Sequence, residues 1–127
     1  MILIIGGAYQ GKNAYAKAHF QHDITDGRHC TFQEAKAAEI LNNYHILIQR
    51  LMQAGADAIS FTAQLCTENK QCVIILDEIG CGIIPMEKQE RIWRETVGRC
   101  GCILAEHADS VIRLVCGIPA AIKGESL

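Results

Sequence analysis

Residues 2–5 read Ile-Leu-Ile-Ile, a short unbroken apolar run rich in β-branched side chains. Such a run predicts a strand buried on both faces, as in a parallel sheet. Glycines 6, 7 and 11 end it, and a helix is expected from about Gly11 to His19. Residues 22–30 are polar and turn-rich, with room for one short extended piece. Thr31-Phe32-Gln33-Glu34 has the form of a capping box, in which hydroxyl and carboxylate serve each other's unpaired amides. The helix it opens is expected to carry Leu41, Tyr44, Leu47, Ile48, Leu51 and Met52 on one face and to end at Gly55. A shorter helix follows over roughly residues 57–67.

The second half repeats the alternation. Residues 72–77 (CVIILD) form a second buried strand, and residues 80–85 (GCGIIP) an irregular glycine turn. After Pro85 a long amphipathic helix is expected to about His107, with Trp93, Val97, Cys100 and Leu104 recurring at helical spacing. A last strand, Val111 to Cys116, leads into GIPAAIK. Alternating strands and helices predict an α/β class with a mainly parallel central sheet. There are no internal repeats, low-complexity tracts or linkers, so residues 1–127 are read as one domain.

Composition narrows the functions open to such a fold. A formal charge of −2 leaves no basic stripe, which argues against nucleic acid as a partner. No window approaches a membrane span, and the apolar start has neither a basic flank nor a cleavage site, so the expected compartment is the cytoplasm. There disulfides are disfavoured. The seven cysteines stand at 30, 66, 72, 81, 100, 102 and 116, without the C-x-x-C spacing of a zinc site. They are read as small buried hydrophobes.

Chemistry enters at Gly6-Gly7-Ala8-Tyr9-Gln10-Gly11-Lys12-Asn13, which almost spells the phosphate loop G-x-x-x-x-G-K-[ST]. A turn between strand and helix aims backbone N–H groups and a helix N-terminus at an anion, and its glycines allow close approach. Lys12 would reach the outer phosphates of a nucleotide, ATP or GTP. Asn13 replaces the hydroxyl that holds Mg²⁺ in this pattern, so a weak metal contact is expected there. The strand ending in Asp77-Glu78 supplies the acidic partner: Asp77 for Mg²⁺, Glu78 to orient an attacking hydroxyl. His45 lies on an apolar helix and reads as a packed histidine, and His107 as a helix-end residue. His22 and His29 lie in the polar loop nearest the expected site.

The stretch DEIGCGIIP makes the sequence recognisable. It resembles the bifunctional adenosylcobinamide kinase/adenosylcobinamide-phosphate guanylyltransferases of cobalamin biosynthesis, whose loop is like GGARSGKS and whose later segment is like NEVGMGIVP. Arg91, Trp93, Arg94, Glu95, Gly98 and Arg99 fall on a further pattern of that family, and Gly117, Pro119 and Lys123 on its closing strand. The resemblance covers roughly residues 1–18 and 73–123. It implies a P-loop NTPase-like three-layer fold and phosphoryl transfer from ATP or GTP, with Mg²⁺, to the hydroxyl of adenosylcobinamide or a related corrinoid. A homo-oligomer, a trimer, is implied too. Nucleotide contacts are implied for residues 6–13, Arg99 and Gly117, with Lys12 and Glu78 as catalytic residues. The family's R-I-x-x-H and R-P-x-x-W segment, whose histidine carries the guanylyl group, has no counterpart in residues 19–72. The alternative is a non-catalytic nucleotide-binding or scaffold protein of the same pathway.

Overall fold

The computed structural model describes residues 1–79 and 87–125; the glycine turn expected at 80–85 lies outside them. In chain order the elements are β1 (Ile2–Gly6), α1 (Lys12–His19), β2 (Ile24–Asp26), α2 (Phe32–Lys36), β3 (Ile40–Asn42), α3 (Tyr44–Gln53), α4 (Ala58–Glu68), β4 (Val73–Asp77), α5 (Lys88–His107), β5 (Ser110–Val115) and β6 (Ile118–Lys123). The six strands form one sheet in the order β2-β3-β4-β1-β5-β6. All neighbours run parallel except β5 and β6, which pair as an antiparallel hairpin. The α/β class and the mainly parallel sheet are thus as the sequence predicts.

Strand alternation sends apolar side chains to two separate cores. Leu3, Leu41, Ile74, Leu76 and Val111 join residues of α3, α4 and α5 in the larger one. Ile4, Ile40, Val73, Ile75, Ile112 and Leu114 pack in the smaller one with Tyr15 and Ala16 of α1. Helices therefore cover both faces, giving three layers. Along α5, Val97, Cys100 and Leu104 are buried at the expected spacing, and Trp93 is partly buried. Gly101 lies over β4, where an added Cβ would meet Leu76 at 3.5 Å, whereas Gly98 has nothing within 4 Å. No helix among the described residues is long and apolar enough to cross a membrane.

One predicted helix is two helices and a strand. The capping box of Thr31 and Glu34 forms, with both hydrogen bonds at 3.0 Å. The helix it opens nevertheless stops at Lys36, because its end is served from elsewhere: Asn69, beyond α4, donates to the carbonyls of Lys36 and Ala38. Ile40 and Leu41 then enter the sheet as β3, between β2 and β4. Leu41 keeps its burial, but on a strand; Tyr44, His45, Leu47, Ile48 and Leu51 are the buried residues of α3. The helical period is satisfied by Leu41 only by coincidence, and pairing on both edges outweighs it.

Two further departures concern the end of the chain and the thiols. The GIPAAIK segment is itself a strand, β6, whose Pro119 is tolerated at the sheet edge. Cys30, Cys66, Cys72 and Cys100 are buried as expected, while Cys102 and Cys116 are exposed. Cys81 lies outside the described residues.

Candidate nucleotide cleft

The cleft is built from the carboxyl ends of β1, β4, β2 and β3. Gly6 stands in register with Asp77 of β4 on one side and Leu114 of β5 on the other. A Cβ at Gly6 would sit 2.7 Å from the Leu114 carbonyl oxygen, so only glycine lets the chain leave the strand here. The loop enters α1 through Gly11 at φ 91°, a left-handed conformation that again favours glycine. Gln10 ties the loop to the β5–β6 turn: its carbonyl accepts from the Gly117 N–H at 3.0 Å, and its side-chain oxygen accepts from the Cys116 N–H. Tyr9 lies fully exposed at the loop tip with φ 61°.

Lys12 is the buried cation of the cleft, 7% exposed. Its Nζ donates to the Gly7 carbonyl at 2.6 Å and lies 2.7 Å from Asp77 Oδ1. Two of the three ammonium donors are thereby engaged, and a third is left for a ligand. The other carboxylate oxygen, Asp77 Oδ2, lies 3.4 Å from His45 Nε2, while the Asp77 N–H donates to His45 Nδ1 at 3.4 Å. Because Nδ1 accepts, the ring proton belongs on Nε2, facing the carboxylate. Burial pushes the His45 imidazole below the ordinary histidine value; Lys12 and Arg28 add to this, and Asp77 opposes it. A neutral ring and a single tautomer follow from the same geometry.

On the far wall, Asn43 at φ 55° caps α3 and donates to Asp26 Oδ1 at 2.9 Å, which also accepts from the Arg28 N–H at 2.9 Å. Arg28, Asn42 and Asn43 thus complete a cleft of about 500 Å³ whose other walls are the loop, Asn13, His45 and Asp77. Two cations and one carboxylate line it, and the start of α1 opens into it. That is the chemistry of a polyphosphate site.

The sequence-derived candidates divide into two groups. Ala8, Tyr9, Gln10, Gly11, Lys12, Asn13 and Asp77 line the cleft. Gly6, Gly7 and Gly117 do not line it: Gly6 ends β1, Gly7 offers its carbonyl to Lys12, and Gly117 buttresses the loop from outside, 3.4 Å from a Cβ built on Gly11. Glu78 and Arg99 do not line it. The Glu78 N–H donates to the Gly6 carbonyl, but its carboxylate is held in a two-point pair by Arg113, at 2.9 and 3.1 Å. Arg99 is exposed on the outer side of α5 and pairs with Glu95, one turn away, at 2.9 Å. Of the histidines, His22 precedes β2 and pairs with Glu39 at 3.2 Å, and His29 is exposed outside the cleft. His107 meets the Ile103 carbonyl at the end of α5.

His45, Arg28, Asn42 and Asn43 are the cleft residues that sequence reasoning missed. Arg28, after the polar Thr25-Asp26-Gly27, gave no local signal. A signal existed for Asn42–Asn43, which follow directly on the apolar pair Ile40-Leu41, and open α/β sheets bind ligands at such strand ends. It was hidden with β3 inside the apparent helix.

The donor set also fits a magnesium ion accompanying phosphates. No group of three or more His, Cys, Asp or Glu side chains able to hold a metal exists among the described residues. Mg²⁺ in nucleotide sites typically takes one or two carboxylates together with phosphate and water oxygens, and Asp77 and the exposed Asn13, which both line the cleft, offer that complement.

A family model described as cobinamide kinase / cobinamide phosphate guanyltransferase matches residues 32–122, well over half of the chain. The matched span takes in residues 32–72, where the resemblance found no counterpart, and leaves the glycine loop outside it. A search of curated proteins found no match. The chain belongs to the cobinamide kinase / cobinamide phosphate guanyltransferase family, a family of transferases that use nucleotides.

Proposed function

Starting from that membership, we propose that this protein binds ATP or GTP in the cleft and transfers its terminal phosphoryl group to the hydroxyl of a cobinamide-type corrinoid. The observation that carries the reading is the convergence of Lys12, Gly7 and Asp77 at one point, within 2.7 Å, where a glycine loop and a strand end meet. Loop amides and the α1 N-terminus hold the phosphates. The free donor of Lys12 neutralises charge on the outer phosphates as it develops. Arg28, on the opposite wall, adds a second cation.

Asp77 and Asn13 would hold Mg²⁺, which supplies charge neutralisation of the phosphate oxygens when bound. The acceptor oxygen bonds to the terminal phosphorus as the bond from that phosphorus to the bridging oxygen breaks. The nucleoside diphosphate leaves, and the hydroxyl proton departs late, to water. Such transfer asks little of a base, which suits a cleft from which Glu78 is turned away. We assign Glu78 instead to fixing the end of β4 against β5 through Arg113. Guanylyl transfer is not part of this proposal, because the R-I-x-x-H and R-P-x-x-W segment that carries the guanylyl group in the family has no counterpart in residues 19–72.

Calorimetry with ATP and GTP in the presence of Mg²⁺, comparing the wild type with Lys12→Ala, tests the site; phosphorylation of cobinamide tests the reaction. Micromolar binding lost in the variant is expected. A second reading, a nucleotide-binding module without turnover, draws on Asn13 standing where a hydroxyl ligates the metal. It predicts the same binding and no phosphorylated product.

A further inference from the structure

Beside the cleft lies a second, larger concavity of about 620 Å³ between α3 and the start of α5. Its character is opposite to that of the cleft. Met52 and Trp93 give it an apolar floor, the carboxamides of Gln49 and Gln53 stand on one side, and the carboxylates of Glu87 and Glu90 on the other. No cationic side chain lines it among the described residues. A polyphosphate would meet two like charges there and nothing to neutralise it. The groove suits a neutral or cationic, amide-bearing ligand with a large apolar surface.

Its position matters as much as its chemistry. The indole N–H of Trp93 donates to the His45 carbonyl at 2.8 Å, and the two rings stand 6.5 Å apart. Trp93 lines the groove and His45 lines the cleft, so one side-chain pair separates the two spaces. A ligand seated in the groove would reach the cleft by passing this wall.

We propose that the groove between α3 and α5 is the acceptor site, holding one edge of the corrinoid ring while its hydroxyl-ended arm crosses the His45–Trp93 wall. This rests on the corrinoid kinase reading above. It assigns the amides of the ring's rim to Gln49 and Gln53 and the apolar ring edge to Met52 and Trp93. The two carboxylates favour a cationic cobalt centre.

The test is titration of the full chain with aquacyanocobinamide, whose cobalt centre keeps a net positive charge, read by calorimetry and by quenching of Trp93, the sole tryptophan. Two variants localise the binding: Met52→Lys, which puts a charge on the floor, and Gln53→Ala, an exposed position that leaves the fold undisturbed. Cobinamide affinity should fall at least tenfold in Met52→Lys and severalfold in Gln53→Ala, with ATP affinity unchanged within twofold in both. Equal cobinamide binding by wild type and Gln53→Ala, with Met52→Lys folded and also unaffected, overturns the groove assignment and leaves the corrinoid reading standing. A wild type that binds ATP but no cobinamide overturns both.

Discussion

The two faces of the sheet divide the molecule's work. On one face α3, α4 and α5 bury Leu47, Ile48, Leu51, Leu65, Val97, Cys100 and Leu104 against the strands. On the other, α1 is the helix among those described that contributes to the core, through Tyr15 and Ala16. The thick face carries apolar burial, the main stabilising term. The charged cleft opens at the carboxyl edge of the sheet, between α1 and the start of α3. Asp77 and Glu78 show the division within two residues: one carboxylate meets Lys12 and His45, the next meets Arg113. Successive side chains at a strand end leave on opposite sides, so adjacent acids of the same chemistry receive unrelated tasks. A ligand site and a stabilising core can then be altered separately.

That separation can be broken experimentally, and the largest effect is expected on the thick face. Leu104 is fully buried, and Leu104→Ala should cost about 3 kcal/mol through lost burial and a residual cavity. Urea denaturation should show that loss while the folded fraction retains wild-type ATP affinity. Lys12→Ala should do the reverse. Losing one charge-assisted contact to phosphate corresponds to about 2 kcal/mol, read by calorimetry as a nucleotide affinity about thirtyfold weaker.

Alkaline pH sharpens the contrast from the thick side. Burial pushes the Cys72 thiol from 9.0 up to about 12. The unfolded chain releases this proton near 9.0 and the folded chain holds it to about 12, so the native state binds more protons in that window. Stability should therefore fall as pH rises between those values, by up to about 1.4 kcal/mol per unit from this group. Denaturation midpoints should decline more gently in Cys72→Ala. The smallest effect is local: Thr31→Ala removes one capping bond of α2, at a residue that does not line the cleft, and should cost about 1 kcal/mol with no change in nucleotide binding.

Much of this architecture is written in short stretches. The strand–loop–helix of residues 2–19, the buried run ending at Asp77, the α5 face of Val97, Cys100 and Leu104 and the Thr31 capping box each depend on neighbours a few residues away. Backbone propensity, side-chain period and capping chemistry are local, and the sequence alone determines them. The loop lysine and its acidic strand-end partner were legible for the same reason.

What tertiary structure decided is everything that depends on which element lies opposite. Ile40–Asn42 is a strand because β2 and β4 offer backbone partners on both sides, and Asn69, some thirty residues on, ends the preceding helix. His45 reaches the cleft because β3 sits next to β4, which places the start of α3 against Asp77. Glu78 is drawn away by Arg113, two strands over, and Arg99 is left on an outer helix face with Glu95. No local pattern encodes such pairings, because strand order is settled by the simultaneous burial of both sheet faces, a property of the whole chain.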